Sequence, residues 1–320
     1  MRGQGVAPSA TVTLPADVTC LSGVRRGSDG GQTGVRPGSH RGQTPIVAGG
    51  LADGQIATWN GRDATATLSK PHTARVLAIG TAGTAVLSLA DDGLFARTSL
   101  AAGAASTSQR LDLGTAPTRA AEFSADGALL VTGGEFGEIR VFDTASGRLK
   151  RQIRGHRTEL QAMAIRPRSS TIATASAESD LRIWDVETGR AVADIPGDLS
   201  LFALAFSPRD GTLASGGVDR RLTLRAPSTF KAVNELALKA PKLVATVAWS
   251  PDGQLIAIGD LDDETLSKGG IQILDASTLA VVATLDTAGI AVRALAFPNN
   301  TTVVAILGRD LRVWNVAVSK

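Results

Sequence analysis

The sequence predicts an all-β protein made of seven similar units, each with four short antiparallel strands. A strand-and-turn pattern recurs along almost the whole chain of 320 residues, at intervals of 39 to 49 residues. A repeat of about 40–45 residues is the period of β-propeller blades. Each unit has one anchor position in its third strand, occupied by Trp59, Thr98, Phe142, Trp184, Arg225, Leu274 and Trp314. The prediction is therefore a seven-bladed β-propeller.

The four strands of a blade, a to d, are each predicted from a local pattern. Strand a alternates apolar and other residues and ends in a turn such as that from Ser250 to Gly253. Pro, Asp and Gly set the turn dihedrals there and supply a residue that tolerates positive φ. Strand b is rich in Gly, Ala and Ser, which suits the crowded inner part of a ring. Strand c carries the anchor residue, and strand d is the outer strand.

The two ends of the sequence predict how the ring closes. The last blade stops after its third strand, while residues 10–14 resemble the outer strand at residues 64–68. We therefore expect the N-terminal strand to complete the last blade, because an open ring would leave unpaired strand edges. Residues 1–320 are predicted as a single propeller domain with a flexible Gly/Arg-rich insertion at 22–44.

The third-strand endings Trp184-Asp185 and Trp314-Asn315 complete a pattern that resembles the WD-repeat β-propeller family from about residue 10 to residue 318. The resemblance implies a hydrogen-bonded structural tetrad in the fourth blade. It is expected to consist of His156, Ser176, Glu178 and Trp184, with Glu in place of the usual Asp. The other blades carry only parts of this set, so apolar packing is expected to provide most of the stability.

Composition and charge exclude some classes of function. The chain has 43% hydrophobic residues, a net charge of +3 and one cysteine. It has no apolar run of membrane-spanning length and no secretory signal at its start, so we expect a soluble, cytoplasmic protein without a membrane partner. The positive charge is concentrated in the insertion at 22–44, which leaves the rest of the chain formally neutral. A globally basic nucleic-acid binder is therefore not expected.

The first candidate site is a set of equivalent positions near the start of strand a. The resemblance implies that these positions lie near the mouth of the central channel on the partner-binding face, where arginines at three of them would focus positive potential and favour acidic peptides or anions. The alternative is that each arginine is paired locally, for instance Arg119 with Glu122 or Asp126. Alignment of the seven blades places together Thr19, Arg75, Arg119, Gln161, Phe202, Ala245 and Arg293.

Two insertions give the other candidates. The basic insertion at 22–44 offers anion or nucleic-acid binding through Arg25, Arg26, Arg36 and Arg41, although no aromatic residues are interleaved for base stacking. The acidic insertion contains Asp262, Asp263 and Glu264 and should extend a loop between strands b and c. A solvated loop is favoured there over a calcium site, because the spacing of calcium-binding loops is missing.

Catalytic chemistry is not predicted. The sequence lacks a phosphate loop, a nucleophile elbow and a pair of histidines at metal-ligand spacing, and the aligned channel positions do not offer metal ligands. We expect no cofactor and no metal. The sequence therefore favours a non-catalytic scaffold that binds one or more proteins through Arg75, Arg119, Gln161 and Arg293, as a monomer or as a subunit of a complex. A propeller-fold hydrolase, similar to lactonases, is the remaining alternative.

Overall fold

The computed structural model describes residues 6–24, 46–59, 66–82, 85–100, 106–197 and 200–316, and in these ranges every regular element is a β-strand. The a strands are β2 (Val18–Val24), β6 (Val76–Ala82), β10 (Thr118–Phe123), β14 (Leu160–Ile165), β18 (Leu201–Phe206), β22 (Lys242–Trp249) and β26 (Val292–Asn299). The b strands are β3 (Ile46–Leu51), β7 (Ala85–Ala90), β11 (Leu129–Gly134), β15 (Thr171–Ser176), β19 (Leu213–Gly217), β23 (Leu255–Asp262) and β27 (Thr302–Leu307).

The outer half of each blade consists of a c strand and a d strand. The c strands are β4 (Ile56–Trp59), β8 (Leu94–Ser99), β12 (Glu138–Asp143), β16 (Asp180–Asp185), β20 (Arg221–Arg225), β24 (Gly269–Asp275) and β28 (Asp310–Asn315). The d strands are β1 (Ala10–Thr13), β5 (Thr67–Ser69), β9 (Thr107–Arg110), β13 (Leu149–Arg154), β17 (Arg190–Pro196), β21 (Ala232–Ala237) and β25 (Val281–Leu285).

These strands form seven four-stranded antiparallel sheets, as predicted. Each a strand contacts the a strands of its two neighbours, so the a strands surround a central channel. The N-terminal strand β1 pairs with β28, with Val12 opposite Leu311 and Thr13 opposite Asp310. This pairing confirms that the N-terminal strand completes the last blade. In the first blade β2 continues to Val24, two residues past the predicted start of the insertion at 22–44.

The hydrophobic core lies between the blades. Seven clusters of buried side chains each join one blade to the next, such as the cluster that contains Val131 of the third blade and Ile172 of the fourth. Small residues in strand b permit this close approach: a Cβ on Gly216 would lie 2.5 Å from the Val244 side chain of the next blade. Apolar packing of this kind removes surface from water at every blade interface.

The turns between strands a and b form as the sequence predicts. In the sixth blade Ser250 Oγ donates to the Asp252 carboxylate at 2.6 Å, and the backbone N–H of Leu255 donates to Ser250 Oγ at 2.9 Å. Gly253 closes this turn with φ +68°. We call the end of the ring that carries the a–b and c–d turns the turn face, and the end that carries the d–a and b–c loops the loop face.

Candidate functional site

The loop face has the same backbone link in most blades. The amide at the start of a b–c loop donates to the carbonyl of a residue that precedes strand a, as in Asp91 to Arg75, Glu135 to Pro117 and Ala177 to Glu159. Buried and looped backbone groups need such partners. This hydrogen bond holds the d–a and b–c loops side by side on the loop face.

Strand a carries a β-bulge near its start in all seven blades. A bulge adds one unpaired residue and re-aims its side chain. Six of the seven positions that the sequence alignment placed together are these bulged residues. The second blade differs, because its bulge lies at Leu77 and not at Arg75. The bulged residues are Thr19, Leu77, Arg119, Gln161, Phe202, Ala245 and Arg293.

Arg75 therefore lies two residues before the ring of bulges, in the d–a loop. Its backbone takes the place that Pro117 and Glu159 take in the next two blades. A spacing in the sequence could have shown this, because His72 and His156 both precede the first residue of strand a by four positions. The alignment of Arg75 with Arg119 is corrected accordingly.

Two of the three predicted arginines are paired with carboxylates on the loop face. Arg75 Nε donates to Asp91 Oδ2 at 2.9 Å. Arg119 lies 3.2 Å from Glu135 Oε1 and 3.6 Å from Glu159 Oε2, which joins the third blade to the fourth. Local pairing is thus found, but the partners of Arg119 are not the predicted Glu122 and Asp126, which lie toward the other end of the strand. Because carboxylates pair with Arg75 and Arg119, these two arginines do not concentrate positive potential at the mouth of the channel on the loop face.

The other two predicted residues retain unused polar atoms. Arg293 is exposed, and no ion pair or hydrogen bond of its side chain is found among the described residues. Gln161 is half-buried, and its Oε1 has no hydrogen-bond partner there. A buried acceptor without a donor costs about 1–3 kcal/mol. These two side chains keep the capacity to bind a partner's polar groups.

Exposed apolar side chains on the loop face were missed by the sequence reasoning. Phe136 in the b–c loop of the third blade is 70% exposed, and Leu266 in that of the sixth blade is 66% exposed. Phe202, at the bulge of the fifth blade, and Ile290, in the last d–a loop, are exposed to a smaller extent. Phe136 interrupts a short Gly-flanked turn where the other blades place polar residues, and this was the available signal.

The acidic insertion extends a b–c loop on the loop face, as predicted. Asp263 forms a 2.6 Å ion pair with Arg220 of the preceding blade. The carboxylate of Asp262 accepts hydrogen bonds from the backbone and hydroxyl of Thr265, and these bonds lower the pKa of Asp262. Local contacts thus account for both of these carboxylates. Among the described residues, no group of three or more His, Cys, Asp and Glu side chains is arranged to hold a metal ion.

The polar network of the fourth blade differs from the predicted tetrad. His156 Nδ1 lies 2.8 Å from Asp180, and His156 Nε2 lies 2.7 Å from the hydroxyl of Thr174. Trp184 Nε1 donates to that hydroxyl at 2.9 Å, while Ser176 Oγ donates to Asp180. Since Thr174 accepts from Trp184, its own proton goes to Nε2 of His156, and Nδ1–H donates to Asp180. Burial lowers the pKa of His156 and favours this neutral form.

Glu178 is therefore not the acid of the network. Its side chain is exposed in the b–c turn, and only its backbone N–H reaches the network, donating to Ser176 Oγ at 3.3 Å. Asp180 takes the role because it begins β16, directly opposite the histidine. Ser176 belongs to the network through Asp180, and Thr174 is the hydroxyl that joins His156 to Trp184.

The predicted anion-binding residues Arg25, Arg26, Arg36 and Arg41 lie outside the described residues. Anion binding through the insertion at 22–44 thus stays a prediction from sequence. None of the described elements is a helix long and apolar enough to cross a membrane.

Comparison with known proteins agrees with the repeat architecture. The family described as WD domain, G-beta repeat, matches residues 147–185, which run from the turn before β13 through β16, the anchor strand of the fourth blade. WD repeat-containing protein VIP3 of Arabidopsis thaliana is 27% identical over 184 residues, 53% of this chain and 56% of that protein. The chain is a seven-bladed β-propeller that contains a WD repeat.

Other relatives of this WD-repeat propeller are matched over smaller shares. WD repeat-containing protein SL1-17 of Schistosoma mansoni is 29% identical over 129 residues, 39% of this chain and 42% of that protein. The U3 small nucleolar RNA-associated protein 21 homolog of Schizosaccharomyces pombe is 29% identical over 146 residues, 45% of this chain and 16% of that protein. The matches span about half or less of the length of these relatives.

Proposed function

We propose that this WD-repeat propeller is a non-catalytic scaffold that binds a protein partner through its loop face. The observation that carries the proposal is the exposure of Phe136, Phe202 and Leu266 on one end of the ring. Large apolar side chains held in water are a cost to a free protein, and aromatic residues are enriched among those that dominate binding energy. Exposed valines also occur on the outer strands, but these lack the aromatic side chains of the loop face.

The presentation of Phe136 supports the proposal. Its turn is short, Gly137 has φ +77°, and the preceding Glu135 is held by its backbone bond to Pro117 and by the ion pair with Arg119. A side chain on a turn fixed in this way loses little conformational freedom on binding. Arg119 thus helps to position Phe136 for binding, in addition to any contact that Arg119 makes with the partner itself.

The polar groups of the loop face add specificity to this apolar contact. Arg293 is free to pair with a carboxylate of the partner, and Gln161 Oε1 is free to accept a hydrogen bond. Arg75 and Arg119 can exchange their present exposed carboxylate partners for those of a ligand at small cost, because exposed ion pairs contribute about 0–1 kcal/mol. An acidic segment with apolar side chains is the partner chemistry that fits.

Non-catalytic action is supported by the state of the described histidines. His72 and His156 are both buried, and their Nε2 atoms are bonded to Ser88 and Thr174 inside the blades. Neither is placed to exchange protons with a substrate at a surface. The names of several relatives, including the U3 small nucleolar RNA-associated protein 21 homolog, place those proteins with larger assemblies, and we extend only the scaffold role to this chain. The cytoplasmic location expected from the sequence stays a prediction.

The test is affinity capture from a lysate of the source organism with three matched baits. The first is the wild-type chain, and the second carries Phe136→Asp, Phe202→Asp and Leu266→Asp. The third is a control with exposed apolar residues of the outer strands replaced: Val192→Asp, Val233→Asp and Val281→Asp. We expect the same partner on wild type and control and its loss from the loop-face bait. Retention by the loop-face bait, or loss from the outer-strand control alone, would refute the proposed surface.

A further inference from the structure

The central channel widens at the turn face into a cavity of about 1000 Å³. All seven blades contribute to its lining, which presents polar and apolar surface in about equal amounts, and Ile79, Phe123, Ile165, Phe206 and Phe297 belong to its apolar part. A volume of this size is at the upper end of the range for small-molecule sites. The cavity is at the opposite end of the ring from the loop face.

One ionisable side chain, Glu122 of β10, stands out in the wall of this cavity. It is opposite Val131 in the strand register, and the same register identifies its counterparts in the other six blades. All six counterparts are small residues. The packing of the blades therefore does not require a carboxyl group at this position. They are Ser22, Gly80, Ala164, Ala205, Ala248 and Ala296.

Glu122 has no cationic partner among the described residues. The strands packed against β10, which are β6, β11 and β14, contain no titratable side chain. A hydrogen bond with the backbone of Ile165 is the polar contact of its carboxyl group. An ionised carboxylate in such a place is destabilised unless a charge of opposite sign is brought to it.

Two of the charged groups at the mouth of the cavity, Asp126 and Arg166, are engaged elsewhere. Asp126 accepts hydrogen bonds from Ser124 Oγ at 2.6 Å and from the backbone N–H of Ala128 at 3.0 Å. The guanidinium group of Arg166 donates to backbone carbonyls of Pro227 and Asp210 in the next blade. Arg168 is exposed, and burial raises the pKa of the Cys20 thiol in the wall to about 11, so this thiol stays neutral.

We propose that this cavity binds an organic cation, a primary ammonium group on an apolar chain, with Glu122 as the counter-ion. The carboxylate would pair with the ammonium group, and the apolar side chains of the lining would cover the chain. A divalent metal ion does not fit, because it requires several oxygen ligands and the second carboxyl group of the lining, that of Asp126, is held by Ser124 and Ala128. The ammonium group can belong to a free amine or to a lysine side chain that enters from a partner.

The binding should be coupled to proton release. Burial raises the pKa of Glu122 to about 8, so the empty cavity holds mostly the protonated form at neutral pH. A bound cation stabilises the ionised form, and the proton leaves to solvent. Affinity should therefore rise as the pH rises toward the pKa of Glu122.

The test is isothermal titration calorimetry of the full chain with hexylammonium, a short blocked lysine peptide, and hexanol as the uncharged control. Measurements at about pH 6.5 and about pH 8.5 should differ by roughly tenfold in affinity for a cation, because the ionised fraction of Glu122 rises by at least that factor. Titrations in buffers of different ionisation enthalpy should show close to one proton released at the lower pH. Binding of hexylammonium assigns a free amine, and binding of the peptide alone assigns a partner's lysine.

Variants provide the second arm of the test. Glu122→Gln keeps the shape and the hydrogen bond to Ile165 but removes the charge, and should weaken cation binding by about tenfold or more. Glu264→Gln, which alters an exposed carboxylate at the other end of the ring, should leave it unchanged. Equal binding of hexanol and hexylammonium, undiminished binding to Glu122→Gln, or no proton release from the wild-type protein would each overturn the proposal. Proton release is measured on the wild-type protein and does not depend on the folding of a variant.

Discussion

The second and fourth blades carry a histidine at the same place and use it to different extents. In the fourth blade His156 joins Asp180, Thr174 and Trp184 in one hydrogen-bonded network. In the second blade His72 reaches Ser88 at 2.7 Å, its Nδ1 has no partner among the described residues, and Thr98 occupies the anchor position of the tryptophan.

Both blades nevertheless adopt the same four-stranded sheet with a bulge at the same place in strand a. The polar network therefore stabilises one blade but is not needed to specify the fold, which the apolar clusters between blades provide at every interface. The contacts that stabilise a blade are consequently different from the residues that distinguish one blade from another for recognition.

The largest effect on stability is expected from Thr174→Val in the fourth blade. This change keeps the shape of a fully buried side chain but removes the hydroxyl that joins His156 to Trp184. Two buried polar groups lose a partner, so the free energy of unfolding should fall by about 3 kcal/mol. Urea unfolding measures this, with Glu178→Gln as the control that should change little. A loss no greater than that of the control would show that the network contributes nothing.

A smaller effect is expected from Ser88→Ala in the second blade. His72 Nε2 loses its partner there, while no tryptophan depends on the same hydroxyl. The free energy of unfolding should fall by about 1 kcal/mol, which is the net value of one hydrogen bond. The same urea unfolding experiment compares the two blades directly. A loss equal to that of Thr174→Val would remove the distinction between a complete and a partial network.

The smallest effect is the dependence of stability on mild acid. Burial lowers the pKa of His156 and of His72 from the ordinary value of 6.5, so the unfolded chain takes up protons before the folded one does. Stability is then complete above about pH 6.5 and declines as the pH falls below it. NMR titration of the two imidazoles should give midpoints below the ordinary value in both blades. A midpoint above it would contradict the neutral form assigned to His156.

The blade count, the strand order and the closure by β1 were all predictable from sequence, because the repeat period and the resemblance of residues 10–14 to an outer strand are local patterns. The alignment of Arg75 was wrong because the d–a loops differ in length, and only the histidine spacing kept the correct register. The assignment of Glu178 to the network was wrong because sequence order does not show which acid faces the histidine.

The pairing of the loop-face arginines could not be predicted from spacing along the chain. Glu159 contacts Arg119 from the next blade, although the two residues are far apart along the chain. The distinctness of Glu122 was equally hidden, because it becomes visible only when the strand register aligns it with six small residues. Contacts between blades depend on the geometry of the ring, which a single repeat does not contain.

The measurement that tests the central claim most directly is the affinity of a captured partner for Phe136→Ala, Val233→Ala and Thr174→Val, read beside the free energy of unfolding of each. Phe136→Ala should weaken binding by about tenfold or more, equivalent to about 1.4 kcal/mol, with unfolding unchanged. Val233→Ala should leave affinity unchanged, and Thr174→Val should lower stability without altering the affinity of the folded protein. Wild-type affinity of Phe136→Ala together with weakened binding by Val233→Ala would contradict recognition at the loop face.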